Sequence, residues 1–403
     1  MIGRQISALC TGYQVTGDPA LLDEAGAGVR WLIDHGWDHD HGGWWPRLRR
    51  SGDPAVSSDP RANDRTAQDA AYCALGLAAW FNVTRDPEAE AYLLKTEGLL
   101  FDPKFYWDAA HSRVRDALDP SLSAERDMDG GGWDLVAGLD QLNGYLVLAQ
   151  PLLTRKEDRD RWADHLAVLG RSLKETFWKD GLFWGQKDFV GRPGGTHVDF
   201  GHHFKSLWML AVAGLRGGDA NLAAWAEAEA RRQLPLALDP ATGLWRKSTL
   251  DWKTFEAGSD WWTFAEDDQL AAWLDVTGGG FTACLAVTAQ GWLDDYVDHG
   301  NGEVWPSIRA DGSKAWNWGP RDTAKANEWK NGFHSTEHAL VLYLHGAWLE
   351  GTEAELHYAF PAGTEATATA TPYLFPGVET GRSAGTALPS GLVPTTVRFR
   401  LGR

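Results

Sequence analysis

Residues 39–48 read HDHGGWWPRL, and stretches of the same kind return as KDGLFWGQ at 179–186, PATGLWRKS at 240–248 and NGEVWPSI at 301–308. Each sets a turn pair or triplet built on Gly, Asp, Asn or Thr against an aromatic run, which reads as a short β-hairpin. Outward from each, the flanking sequence is helical. Apolar residues fall three and four apart, as at Leu207, Leu210, Ala211 and Leu215, or at Leu340, Tyr343 and Leu344. The spacing predicts helices near 2–16, 19–35, 63–82, 86–99, 129–152, 157–177, 201–216, 219–233, 260–275, 280–297 and 331–348. Helix pairs recurring about every 50 to 70 residues describe a toroid or solenoid of helical hairpins. The closed form that fits is all-α, an (α/α)6 barrel.

After residue 350 the composition shifts to Thr, Ala, Gly and Pro, and period-two alternation marks LHYAF at 356–360 and VRFRL at 397–401. The expected organisation is therefore a barrel over 1–350 and a small β appendage over 351–403, packed on it.

The composition narrows the function. With 43% hydrophobic residues, the chain of 403 can bury a sizeable core, and it has no apolar run long enough to span a membrane. A formal charge of -17 argues against nucleic acid as a partner, because phosphates call for clustered Lys and Arg. The basic patch Arg47, Arg49 and Arg50 reads as a solvated loop. Cys10, Cys73 and Cys284 are too few and too scattered for a disulfide framework or zinc knuckle, which fits a reducing cytoplasm. The unusual total is 23 Trp against 3 Met. Indoles fill cores, and their flat faces also stack on sugar C–H faces, so some are expected to line a carbohydrate site.

Three stretches carry candidate chemistry: GHHFKSLW at 201–208, WWTFAED at 261–267 and WKNGFHSTEHAL at 329–340. They resemble, in order and spacing, the Gly-His-x-x-Glu, Trp-Trp-x-x-x-Glu and Tyr-His-x-x-Arg stretches of the N-acylglucosamine 2-epimerase family, which includes cellobiose 2-epimerases and mannose and sulfoquinovose isomerases. GRQISALCTGY at 3–13 looks like the family's first inward helix and GEVWPSIRADG at 302–312 like its late loop, so the resemblance covers about residues 3–348. It implies a free mono- or oligosaccharide substrate, an enediolate reached by removing the C2 proton, no redox cofactor and no metal. His202 and His334 fall on the acid/base pair. Arg4, Asn143, Trp262 and Glu266 fall on substrate-contacting positions. A homodimer is compatible with it.

Histidine suits this work because its reference pKa, about 6.5, lets it take and return a proton near neutrality. Read without the family, His202 reads first as a partly solvated neighbour of a helix cap, and Glu266 is equally a structural acceptor. His203, turned about 100° around the helix, points elsewhere.

The chain departs from the family pattern at three places. DQLNGYLVLAQ at 140–150 keeps Asn143 but carries Tyr145 where a third His is expected, so Tyr145 is read as a hydrogen-bonding sugar contact. Lys205 stands in place of the first Glu, and Glu337 in place of the Arg. Because the two charges change in opposite senses, Lys205 and Glu337 are expected to pair across the barrel mouth. Eleven helices are counted where twelve close the ring. Either the family's first helix precedes Met1, or the C-terminal segment covers the gap.

Other readings remain at this stage. HSTEH at 334–338 matches the zinc pattern His-x-x-Glu-His. A glycoside hydrolase or sugar lyase on the same barrel would use a carboxylate pair from Asp260, Glu266, Glu303 and Glu337. A decayed, purely sugar-binding protein is the third.

Overall fold

The computed structural model describes every residue except 127–131, 189–191, 196, 316–325, 328 and 403. Each expected helix is present among the described residues, although the start of the one expected at 129 lies partly outside them. They are α1 (Ile2–Thr16), α2 (Pro19–Trp31, continued by a π turn Leu32–Gly36), α3 (Ala67–Thr84), α4 (Pro87–Leu100) and α5 (Leu135–Gln141, continued by a π turn Leu142–Leu146 and by Val147–Ala149). There follow α6 (Lys156–Phe177), α7 (Phe200–Arg216), α8 (Ala220–Ala237), α9 (Trp261–Gly278), α10 (Thr282–Gly291, continued by a π turn Trp292–Tyr296) and α11 (Phe333–Glu350).

The odd-numbered helices pack on one another in sequence, and α11 returns onto α1, so they close a ring. The even-numbered helices pack outside it, α2 on α1 and α3, α6 on α5 and α7, α8 on α7 and α9. Sequence explains the division. Inner helices such as α9 are buried on nearly every face, whereas α6, KEDRDRWADHLAVLGRSLKETF, presents one apolar stripe and a charged face.

Each outer helix ends in a short antiparallel pairing: Trp37 with Trp44, Trp107 with Val114, Trp178 with Phe183, Leu238 with Trp245, and Val297 with Val304. Three of the turns share one hydrogen-bond pattern. Asp38, Asp239 and Asp298 each accept, at the backbone carbonyl, the N–H of the glycine four residues on. Those glycines, Gly42, Gly243 and Gly302, have φ of 81°, 73° and 72°, a left-handed conformation that favours glycine.

Three strands follow α11: β1 (Ala354–Pro361), β2 (Gly377–Ala384) and β3 (Leu392–Leu401), ordered β1-β3-β2 and antiparallel throughout. Alternate residues of β3, Val393, Thr395, Val397, Phe399 and Leu401, are buried. The sheet packs on α1, α3 and α11. Tyr13 donates its hydroxyl proton to the Tyr358 carbonyl at 3.0 Å, and Gly17, just past α1, abuts His357. These contacts put the sheet at the C-terminal end of α1. No helix among the described residues is long and apolar enough to cross a membrane.

Candidate active site

The N-terminal turns of the inner helices surround a cavity of about 210 Å³, lined by Arg4, Gln68, Tyr72, His197, His202, Lys205, Trp261, Trp262, Trp329 and His334. Of the residues singled out from sequence, Arg4, His202, Lys205, Trp262 and His334 meet here.

His202 sits in the first turn of α7. Asp199, the residue before the helix, caps it by accepting the His202 N–H at 2.9 Å, and its other oxygen lies 2.8 Å from His202 Nδ1. One carboxylate thus satisfies an orphan helix donor and fixes the imidazole, leaving Nε2 as the ring's second nitrogen. The Trp262 ring lies against His202, with centroids 4.6 Å apart, and stands 6.0 Å from that of His334. Gly201 is small for the same reason: a Cβ there would come within 2.4 Å of the Trp262 ring. His203 does point elsewhere. Its Nδ1 accepts from the Phe183 N–H and its Nε2 donates to Gln233, and burial pulls its pKa down to about 4.

His334 opens α11, with Nδ1 3.3 Å from a Glu266 oxygen. Burial drives its pKa down to about 3, outweighing the opposing charge of Glu337, so the imidazole is neutral at neutral pH. Glu266 and Glu337 lie behind His334 and do not line the cavity. Burial raises both carboxyl pKa values; for Glu266 it outweighs the opposing charges of Lys205 and His202, and for Glu337 the charge of Glu266 adds to it. Neither Glu266 oxygen has a hydrogen-bond partner among the described residues, while Glu337 accepts the hydroxyl proton of Tyr373, which reaches in from the segment between β1 and β2.

The expected Lys205–Glu337 pair is not formed. Lys205 donates instead to Asp140 on α5 at 2.8 Å, and the second Asp140 oxygen accepts from Gln68 at 2.8 Å. Burial alone would favour a neutral lysine, but Asp140, Tyr72 and Glu266 raise its pKa above the ordinary lysine value. Asp140 shows the converse: desolvation is outweighed by Lys205 and Gln68, and its pKa falls to about 2. The fixed cation beside His202 is thus neutralised from the neighbouring inner helix.

Tyr145 is a second correction. It is fully buried against Trp162 of α6, ring centroids 5.7 Å apart, and does not line the cavity. Tyr145 lies in the π turn Leu142–Leu146, where the α-helical spacing that would place it beside Asp140 does not hold. Asn143 is likewise buried away from the cavity wall.

Among the described residues the zinc pattern of HSTEH is not assembled: His338 is not grouped with His334 and Glu337, and its Nε2 lies 2.8 Å from Asp268. A different trio, Glu266, His334 and Glu337, brings ligand-type atoms within 4.8 Å of one another and is the group whose donors could hold a metal ion. Of the hydrolase candidates, Asp260, Glu266, Glu303 and Glu337 all lie off the cavity wall, with Glu303 bound by Lys330.

Sequence reasoning missed Gln68, Tyr72, His197, Trp261 and Trp329 as lining residues. The signal for the first two was a pair of polar side chains four apart at the start of an otherwise apolar helix. Arg4 lies over the Tyr72 ring, 3.6 Å from its centroid, and donates to the Trp329 carbonyl at 3.2 Å, which ties the first inner helix to the loop before the last.

No protein-family model matches the chain. A cellobiose 2-epimerase of Bacteroides fragilis is 24% identical over 343 residues, spanning 80% of this chain and 81% of that protein. Among solved structures, a cellobiose 2-epimerase from Spirochaeta thermophila superposes with TM-score 0.72 at 19% identity, covering 85% of this chain and 84% of its own. A D-mannose isomerase superposes with TM-score 0.67 at 15% identity, covering 85% of each chain. The fold is that of these sugar epimerases and isomerases, and the likenesses support the N-acylglucosamine 2-epimerase family.

Proposed function

We propose that the protein is a sugar epimerase or aldose–ketose isomerase that moves the C2 proton of a free reducing sugar through an enediolate. The observation that carries the reading is the convergence of His202 and His334, from different inner helices, on one cavity with the Trp262 ring against both. His334, neutral in the free site, and His202, braced by Asp199, stand as the pair that takes the C2 proton and returns one. Arg4 supplies fixed positive charge at the cavity wall where the enediolate oxygens develop negative charge, and Lys205, paired with Asp140, offers a polar donor there. Trp262 offers an indole surface for the sugar ring. Shifting a carbonyl or inverting C2 is redox-neutral within the sugar, so the reaction calls for no external electron carrier.

On the same reading, residues 1–350 are an (α/α)6 barrel, and the appendage, 351–403, packs at the C-terminal ends of its inner helices. The test is deuterium exchange. Purified protein is incubated in D2O with D-glucose, D-mannose, cellobiose and a panel of ketoses, with and without prior chelation, and C2 is followed by NMR. Deuterium at C2, persisting after chelation, is expected. Release of a smaller sugar from cellobiose without exchange would overturn the reading in favour of a hydrolase.

A further inference from the structure

Two histidines of the cavity are built alike. His197, in the loop ahead of α7, has Nδ1 3.1 Å from Asp134, and His202 has Nδ1 2.8 Å from Asp199. Both carboxylates are helix caps, Asp134 of α5 and Asp199 of α7. The rings stand side by side, centroids 4.7 Å apart and tilted by 51°, and both line the cavity.

Proton exchange at C2, as read above, employs His202 and His334 and leaves His197 without a task. Yet a reducing sugar arrives as a closed hemiacetal, which has no carbonyl and therefore no acidic C2–H. Opening it requires one proton delivered to the ring oxygen and one removed from the anomeric hydroxyl. Both oxygens are bonded to C1, so the two proton carriers must be neighbours.

We propose that His197 is the ring-opening acid of this site. The His197 imidazolium gives its Nε2 proton to the ring oxygen as the C1–O bond breaks and its electron pair moves onto that oxygen. The O–H pair of the anomeric hydroxyl becomes the second bond of the carbonyl, and its proton passes to Nε2 of His202. One proton arrives, one leaves, and nothing is oxidised. Asp134 favours the charged form of His197: desolvation pulls its pKa down, but the Asp134 hydrogen bond and the charges of Asp134, Asp199 and Asp140 together raise it. Opening also leaves His202 protonated, the form that can return a proton to C2. The proposal rests on the enediolate reading.

The experiment compares wild type with His197→Gln and His197→Asn on two substrates, after circular dichroism has matched their melting transitions. One is whichever panel hexose exchanges fastest. The other is D-glyceraldehyde, too short to close a ring. Deuterium incorporation into the hexose is expected to fall at least about 10²-fold, the usual worth of positioned acid–base catalysis, with D-glyceraldehyde within about threefold of wild type. Equal losses on both substrates, or no loss on the hexose, would overturn the assignment. Polarimetry of fresh α-D-glucose separates this proposal from the reading beneath it, since mutarotation needs ring opening alone. Wild-type acceleration that the His197 variants lose, with no C2 deuterium from any sugar, would keep His197 and sink the epimerase reading. Wild type inert in both assays would sink both.

Discussion

Removing the charge of Lys205 tests how the site tolerates a cation beside its histidine. Lys205 and Asp140 are 3% and 2% exposed at the side chain, with nitrogen and oxygen 2.8 Å apart. Lys205→Met would leave a buried carboxylate whose remaining side-chain partner among the described residues is Gln68. Breaking one side of such a pair costs about 3–5 kcal/mol, because the surviving charge has lost its compensation without regaining water. Replacing both members, Lys205→Met with Asp140→Leu, removes the desolvation problem, and stability is expected to return to the wild-type level or above it. Urea unfolding followed by tryptophan fluorescence gives the four corners of a double-mutant cycle, with an expected coupling of at least about 2 kcal/mol. Additive single effects would show that the two groups do not interact and would refute the argument. The charge exchange Lys205→Glu with Glu337→Arg is not expected to rescue, since it sets a second carboxylate against Asp140. The pH dependence follows from the depressed Asp140 pKa. Its stabilising contribution is full above the unfolded carboxyl value of about 3.9 and is lost as pH falls through about 2, so Asp140→Asn should flatten the stability curve across that interval.

His202→Ala and His334→Ala are each expected to lower C2 exchange at least about 10²-fold with the fold intact; near-normal exchange in either removes that residue from the mechanism. Trp262→Ala should raise KM for the exchanging sugar while the melting transition survives, because the indole borders the cavity; a collapsed transition would make it a core residue. Tyr145→Phe should leave exchange unchanged and stability no lower, since the buried hydroxyl has no hydrogen-bond partner among the described residues. A drop in exchange would return Tyr145 to the site.

The outer helices such as α6 were legible because a single buried face writes an apolar period into the sequence, and the inner ones such as α9 because burial on nearly every face leaves long, mostly apolar runs of helical length. The hairpins were legible from Gly42, Gly243 and Gly302, whose turns need a left-handed residue. Boundaries were less so: the third helix was expected from 63, but residues 60–63 form a separate 3-10 turn and α3 begins at Ala67. The partner of Lys205 was not legible at all. Sequence spacing fixes where a side chain lies along its own helix, and says nothing of which neighbouring helix faces it. Asp140 and Glu337 were both available, and only the packing of α5 beside α7 brings Asp140 within reach. The pairing of His197 with Asp134 spans 63 residues and was hidden for the same reason.

The bond from Arg4 to the Trp329 carbonyl joins positions 325 apart in sequence, and this bears on how the protein is made. At roughly 5–20 residues per second, tens of seconds separate the emergence of Arg4 from that of His334 at the ribosome. Through that interval α11 is not there to pack on α1, and the cavity between the inner helices is incomplete. Helical hairpins formed early can persist as local units, but the last closure is a contact of very high sequence separation, the kind that slows folding. Sugar binding would therefore report completed closure of the ring, and a saturating substrate would draw late intermediates toward the native state by mass action.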